Sequence, residues 1–65
     1  MIILEDFLKV VAPKVNINVY SYSEPLTSGT ALEILDNVFS MQYLQYTVIR
    51  IYSRYENNID VIVTL

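Results

Sequence analysis

The chain contains no cysteine, no histidine and no tryptophan, and only one glycine and two prolines among its 65 residues. Without cysteine there is no disulfide staple, and without a Cys/His set there is no structural zinc of the usual kind. The same absences remove the commonest general base and the commonest thiol nucleophile. Ser21, Ser23, Ser28, Ser40 and Ser53 therefore have no imidazole to activate them. A single glycine also rules out a glycine-rich phosphate loop. These gaps argue against an enzyme, a metal centre or a bound cofactor.

Positive charge is scarce too: four Lys/Arg stand against seven Asp/Glu, for a net charge of −3. A phosphate-backbone track needs many basic contacts, so direct nucleic-acid binding is not expected. The acids Glu5, Asp6, Glu24, Glu33, Asp36, Glu56 and Asp60 are scattered, forming neither an acidic tail nor a row that would imitate a nucleic acid. Glu5 and Asp6 diverge around a helix. Glu33 and Asp36, at i and i+3, are better explained by helix capping and the helix dipole than by a cation. No run approaches the roughly 20 apolar residues of a membrane span, and Met1 to Asp6 lacks a basic signal-peptide region. A cytoplasmic protein without membrane contact is the expectation.

What is present is apolar: 54% of residues are hydrophobic and 17% charged, which excludes disorder. One domain spanning residues 1–65 is expected. A chain of this size buries only about 60% of its unfolded surface, so tight packing or a second chain must supply the rest of its stability. Self-association in a homodimer is accordingly an expectation.

Ile3, Leu4, Phe7, Leu8 and Val11 make one stripe of a helix over 3–11, with Glu5 and Asp6 in its first turn, Lys9 toward its end and Pro13 beyond. Val15 to Tyr22 alternates: Val15, Ile17 and Val19 take one face, and Asn16, Asn18, Tyr20 and Tyr22 the other. Ser23-Glu24-Pro25 turns the chain, and Leu26 to Thr30, broken by Gly29, reads as a short return strand. Thr30 followed three residues on by Glu33 is a capping-box pattern opening a second helix over 31–43. The run Asp36-Asn37-Val38-Phe39-Ser40 forms helix poorly and should break it. Tyr46–Arg54 and Ile59–Leu65 are alternating strands joined by Tyr55-Glu56-Asn57-Asn58, where asparagine tolerates positive φ.

The expected fold is α+β in the order α-β-β-α-β-β, a mainly antiparallel four-stranded sheet with two helices on one face. Alternation in the third strand assigns Ile49 and Ile51 to the core, with Tyr46, Val48, Arg50, Tyr52 and Arg54 outward. In the last strand Ile59, Val61, Val63 and Leu65 face the core, leaving Asp60, Ile62 and Thr64 outside.

Tyrosine and arginine are enriched at binding surfaces, so Tyr20, Tyr22, Tyr46, Arg50, Tyr52 and Arg54 form the candidate partner-binding set. A blander account is that tyrosine suits strands and forms cross-strand pairs worth roughly 0.2–1 kcal/mol each. Val48 and Ile62 add apolar area that favours a protein partner or a second copy. Base stacking on the tyrosines is the third reading, opposed by the net charge.

The segments Leu4-Glu5-Asp6-Phe7-Leu8-Lys9-Val10-Val11, Val15-Asn16-Ile17-Asn18-Val19-Tyr20, Ser28-Gly29-Thr30-Ala31 and Asn58-Ile59-Asp60-Val61-Ile62-Val63 resemble a family of short α+β proteins carried by phages and mobile elements of Gram-positive bacteria. The resemblance spans most of the chain as a pattern of element types, with no catalytic signature. It implies a phage or mobile-element origin, a host-cell cytoplasmic location and no enzyme activity. The tyrosine-rich outward strands depart from that pattern, where charge is more usual. By analogy with anti-CRISPR proteins, the expected partner is a CRISPR effector or another host nucleic-acid-processing protein, blocked by surface occlusion. A structural homodimer, self-associating through the tyrosine-rich sheet face, is the alternative.

Overall fold

The computed structural model describes all 65 residues, Met1–Leu65. Helix α1 (Leu4–Val10) leads into strands β1 (Asn16–Ser21) and β2 (Glu24–Thr30), then helix α2 (Ala31–Asp36), a 3-10 helix (Val38–Tyr43), and strands β3 (Thr47–Tyr55) and β4 (Asn58–Thr64). The expected α-β-β-α-β-β order is present. No helix is long and apolar enough to cross a membrane.

The sheet order is β2-β1-β4-β3. Each sequential hairpin is antiparallel, but the two hairpins meet through β1 and β4, which run parallel with Ile17 opposite Ile59 and Val19 opposite Val61. The sheet is therefore mixed. A parallel pair needs a long crossover, and here α2 and the 3-10 helix carry the chain from the β2 edge to the β3 edge.

Burial follows from that order. Ile17, Val19, Val61 and Val63, on the two central strands, are wholly buried with Leu4, Leu8 and Ile34, and Ala31 and Leu44 complete the core cluster. The inward periodicity of β1 and β4 was thus correctly placed, except for Leu65, which is exposed.

The third strand departs from its expected faces. Ile49 and Ile51, expected in the core, are 44% and 50% exposed. Val48, expected outward, lies opposite Val63 and packs against the core, as does Tyr46. The physical reason is a bulge between Val48 and Arg50, which adds one residue and breaks the alternation that the sequence implied. Beyond it Ile51 lies opposite buried Val61, yet β3 is the edge strand and the core there is not closed over it.

The ends of the helices are closed in different ways. Ile3 offers α1 no side-chain cap, and the first free amides instead donate to the chain entering β3: Leu4 N to Tyr46 O at 2.8 Å and Glu5 N to Leu44 O at 2.9 Å. α2 has its full capping box, with Thr30 N donating to Glu33 Oε1 at 2.9 Å and Glu33 N to Thr30 Oγ1 at 3.4 Å. The break foreseen after Asp36 falls at Asn37, whose side chain accepts from Phe39 N at 2.8 Å and restarts the chain as the 3-10 helix. Buried Ser40 then meets Thr27 Oγ1 at 2.8 Å, tying that helix to β2.

The one glycine is explained by the same capping box. Gly29 holds φ at +135°, and a Cβ there would lie 3.3 Å from Glu33 Cβ and 3.4 Å from Glu33 Oε1. Gly29→Ala is expected to cost about 1–3 kcal/mol in urea unfolding, because it meets both the backbone strain and the capping carboxylate. The Thr30 amide, and then its hydroxyl, hold the Glu33 carboxyl below its ordinary value of 4.5. A carboxylate with a depressed folded pKa contributes stability above its unfolded pKa and loses it as pH falls through the folded value. Acid unfolding should therefore weaken α2 below about pH 4.5, and Glu33→Gln should flatten that part of the stability profile.

Candidate functional site

Strand register turns the uncovered face of the sheet into three cross-strand rows. Ser28, Asn18, Asp60 and Tyr52 form the middle row. Pro25, Tyr20, Ile62 and Arg50 lie on one side of it, and Thr30, Asn16, Asn58 and Tyr55 on the other. Direct cross-strand neighbours share a face with Cβ atoms about 4.5–5.5 Å apart, so each row is a continuous surface.

A polar network fixes the middle of this face. Asn18 Nδ2 lies 2.9 Å from Asn58 Oδ1, 3.1 Å from Asp60 Oδ1 and 3.4 Å from Ile59 O. With two N–H groups, it serves the two nearer oxygens best and joins β1 to β4 by side chain as well as backbone. Asn16 Nδ2 reaches Asn18 Oδ1 at 3.5 Å. On the other side of Asp60, Oδ2 accepts from Arg54 Nε at 2.7 Å. That hydrogen bond, and then the Asp60 charge, raise the Arg54 pKa above its ordinary value. Asp60 is only 15% exposed at its side chain, whereas Arg54 remains 52% exposed. The carboxylate is used up, but a large part of the guanidinium is not.

Of the candidate set, Tyr20, Arg50, Tyr52 and Arg54 come together on this face. Tyr52 is half exposed, and Tyr20 is partly covered by its neighbours. A shallow groove beside Tyr20 runs between β1 and β2 along Pro25 and Leu26, where a bulge between Val19 and Tyr20 loosens their pairing. Tyr22 is elsewhere: it sits in the β1–β2 turn with φ of 57° and is 70% exposed. Tyr46 leaves the face altogether, packing against the core with its ring edge-on to Tyr43 at 5.5 Å.

Asn18, Asp60, Ile62 and Tyr55 belong to the surface as much as the tyrosines and arginines do, though none was singled out as a site residue. The outward alternation marked Asn18, Asp60 and Ile62. Their meeting depends on the parallel β1–β4 register, which joins residues 42 apart in sequence and leaves no local signal. No group of three carboxylate, histidine or cysteine side chains is placed to hold a metal ion.

The fold and this face define a small α+β protein with an open, polar-aromatic sheet surface. No protein-family model, curated protein or solved structure matches the chain.

The network makes a graded prediction. Asn18→Ala should cost about 1–2 kcal/mol in chemical denaturation, because it strips the β1–β4 junction of its shared donor. Asn16→Ala, which loses one long contact, should cost about 0.5 kcal/mol or less. Equal losses would show that the Asn18 junction carries no special share of the stability.

Proposed function

We propose that this protein is a non-enzymatic binding module that docks its open sheet face onto another protein and occludes a surface of it. The observation that carries this reading is the grouping of Tyr20, Arg50, Tyr52 and Arg54 on one face beside apolar Ile62. Tyrosine supplies rigid contact area at low conformational-entropy cost, and arginine stacks or forks onto carboxylates. The Arg54–Asp60 pair holds one guanidinium in place before any partner arrives, so less freedom is lost on docking. Arg50 has no ion-pair partner of its own among the salt bridges of the fold, leaving its charge for an incoming acid.

Within this reading, the partner is a bacterial defence or nucleic-acid-processing protein, and the module is a phage or mobile-element inhibitor of anti-CRISPR type. Support for that narrower statement is the pattern of elements noted in the sequence, together with small size and a net charge of −3. Tyr22 and Tyr55, exposed at opposite ends of the sheet, extend the area a partner can reach.

Immobilised protein exposed to a bacterial lysate should retain a specific protein whose activity falls when the module is added in solution. Arg50→Ala with Tyr52→Ala, shown folded by circular dichroism, should weaken capture at least about 100-fold, as loss of central arginine and tyrosine contacts does. Undiminished capture by the folded double variant would remove this face from consideration.

A further inference from the structure

The helices cover the core but leave an apolar groove of their own, on the side of the molecule opposite the open sheet face. It lies between α1 and α2 with a volume of about 300 Å³, floored by Leu8, Val11, Ala31 and Leu35 and banked by Lys9 and Leu32. Leu32 stands 64% exposed on its bank. With the groove beside it, this leucine forms a contiguous apolar surface, the kind that marks a contact with another molecule. The chain has neither disulfide nor metal centre to stabilise so small a core, which gives association a thermodynamic purpose.

Charge is sorted along this groove. Thr30, the residue before α2, pairs with Asn16 at the start of β1, so α2 begins at the end of the sheet where α1 finishes and the two helices run antiparallel. Residues at i and i+4 share a helix face, so Glu5 lies one turn from Lys9 along one bank and Asp36 one turn from Leu32 along the other. Glu5 and Asp36 therefore mark one end of the groove, and Lys9, with Lys14 just past the lining residue Pro13, marks the other. None of these four side chains is in an ion pair, the Arg54–Asp60 bridge being the only one in the fold.

We infer that the groove packs against the same groove of a second copy of the chain, the two copies related by a twofold axis lying across the helices. That axis reverses the direction of the groove, so the acidic end of each copy lies over the basic end of the other and Lys9 faces Asp36 twice. A twofold along the helices would instead stack Glu5 and Asp36 on acids of the other copy. The charges thus admit one arrangement and oppose the other, while Leu32 of each copy beds on the apolar floor of its counterpart. A groove of a single sign would call for a foreign partner of the opposite sign; one with both signs at opposite ends complements itself. The inference is independent of docking by the open face, which lies on the other side of the sheet and stays free in the dimer.

Sedimentation equilibrium of the whole chain tests it. The wild type should show a concentration-dependent rise from 7.5 kDa to twice that mass. Leu32→Glu changes an exposed position outside the core and the Thr30–Glu33 capping box, so circular dichroism should stay unchanged while the dissociation constant rises about tenfold or more. Lys9→Glu and Asp36→Lys should each weaken association about tenfold, and the two together should recover most of the loss, because the charges are exchanged rather than removed. Arg50→Ala with Tyr52→Ala, on the opposite side of the sheet, should leave the dimer as it was. A monomer at millimolar concentration, whether or not its open face captures another protein, would overturn the proposal. So would a dimer that survives Leu32→Glu, charge reversals without mutual rescue, or a dimer lost with the open-face variant.

Discussion

Everything in this fold hangs on the parallel pairing of β1 with β4. The hairpins β1–β2 and β3–β4 are local objects, each closed by a tight turn, and neither has enough apolar surface to stand alone. Joining them through Ile17–Ile59 and Val19–Val61 creates the one continuous apolar surface on which Leu4, Leu8, Ala31 and Ile34 settle. Because β1 and β4 occupy the centre, β2 and β3 become edges, and the different fates of otherwise similar residues follow. Val61 is wholly buried while Ile51, directly opposite it, is half exposed.

The same pairing builds the open face. Asn18 meets Asn58 and Asp60 only because β1 and β4 run side by side in this register. Asp60, held on one side by Asn18, accepts Arg54 on the other. A junction that joins the central strands thus also orients Arg54 on the open face. Under the proposed docking, a substitution at Asp60 would disturb both the β1–β4 junction and the orientation of Arg54.

Much of this was legible from local chemistry. The helix over Leu4–Val10, the capping box at Thr30 and Glu33, the break at Asn37 and the positive φ at Asn57 all rest on residues a few positions apart. Alternation also placed Ile17, Val19, Val61 and Val63 correctly, since β1 and β4 are buried where they should be. β3 misled in two ways: a bulge at Ile49 shifts the alternation so that Val48 packs inward, and the edge position leaves Ile51 exposed although it lies opposite buried Val61. Nothing in Thr47-Val48-Ile49-Arg50 marks that extra residue. Tyr46 was misplaced for a related reason: it precedes the strand, and its carbonyl serves as the acceptor that starts α1. The parallel contact between the hairpins had no local signature at all, being set by how α2 and the 3-10 helix carry the chain across the sheet.

The most direct measurement is residue-resolved amide hydrogen exchange at low protein concentration. Amides of β1 and β4 from Ile17 to Val19 and Ile59 to Val61 should exchange slowest, on the timescale of global unfolding, with residues 51–55 of β3 among the faster strand positions. If β3 were protected as strongly as β1, or if β1 and β4 exchanged as independently as two separate hairpins, the parallel pair would not be the centre of the structure.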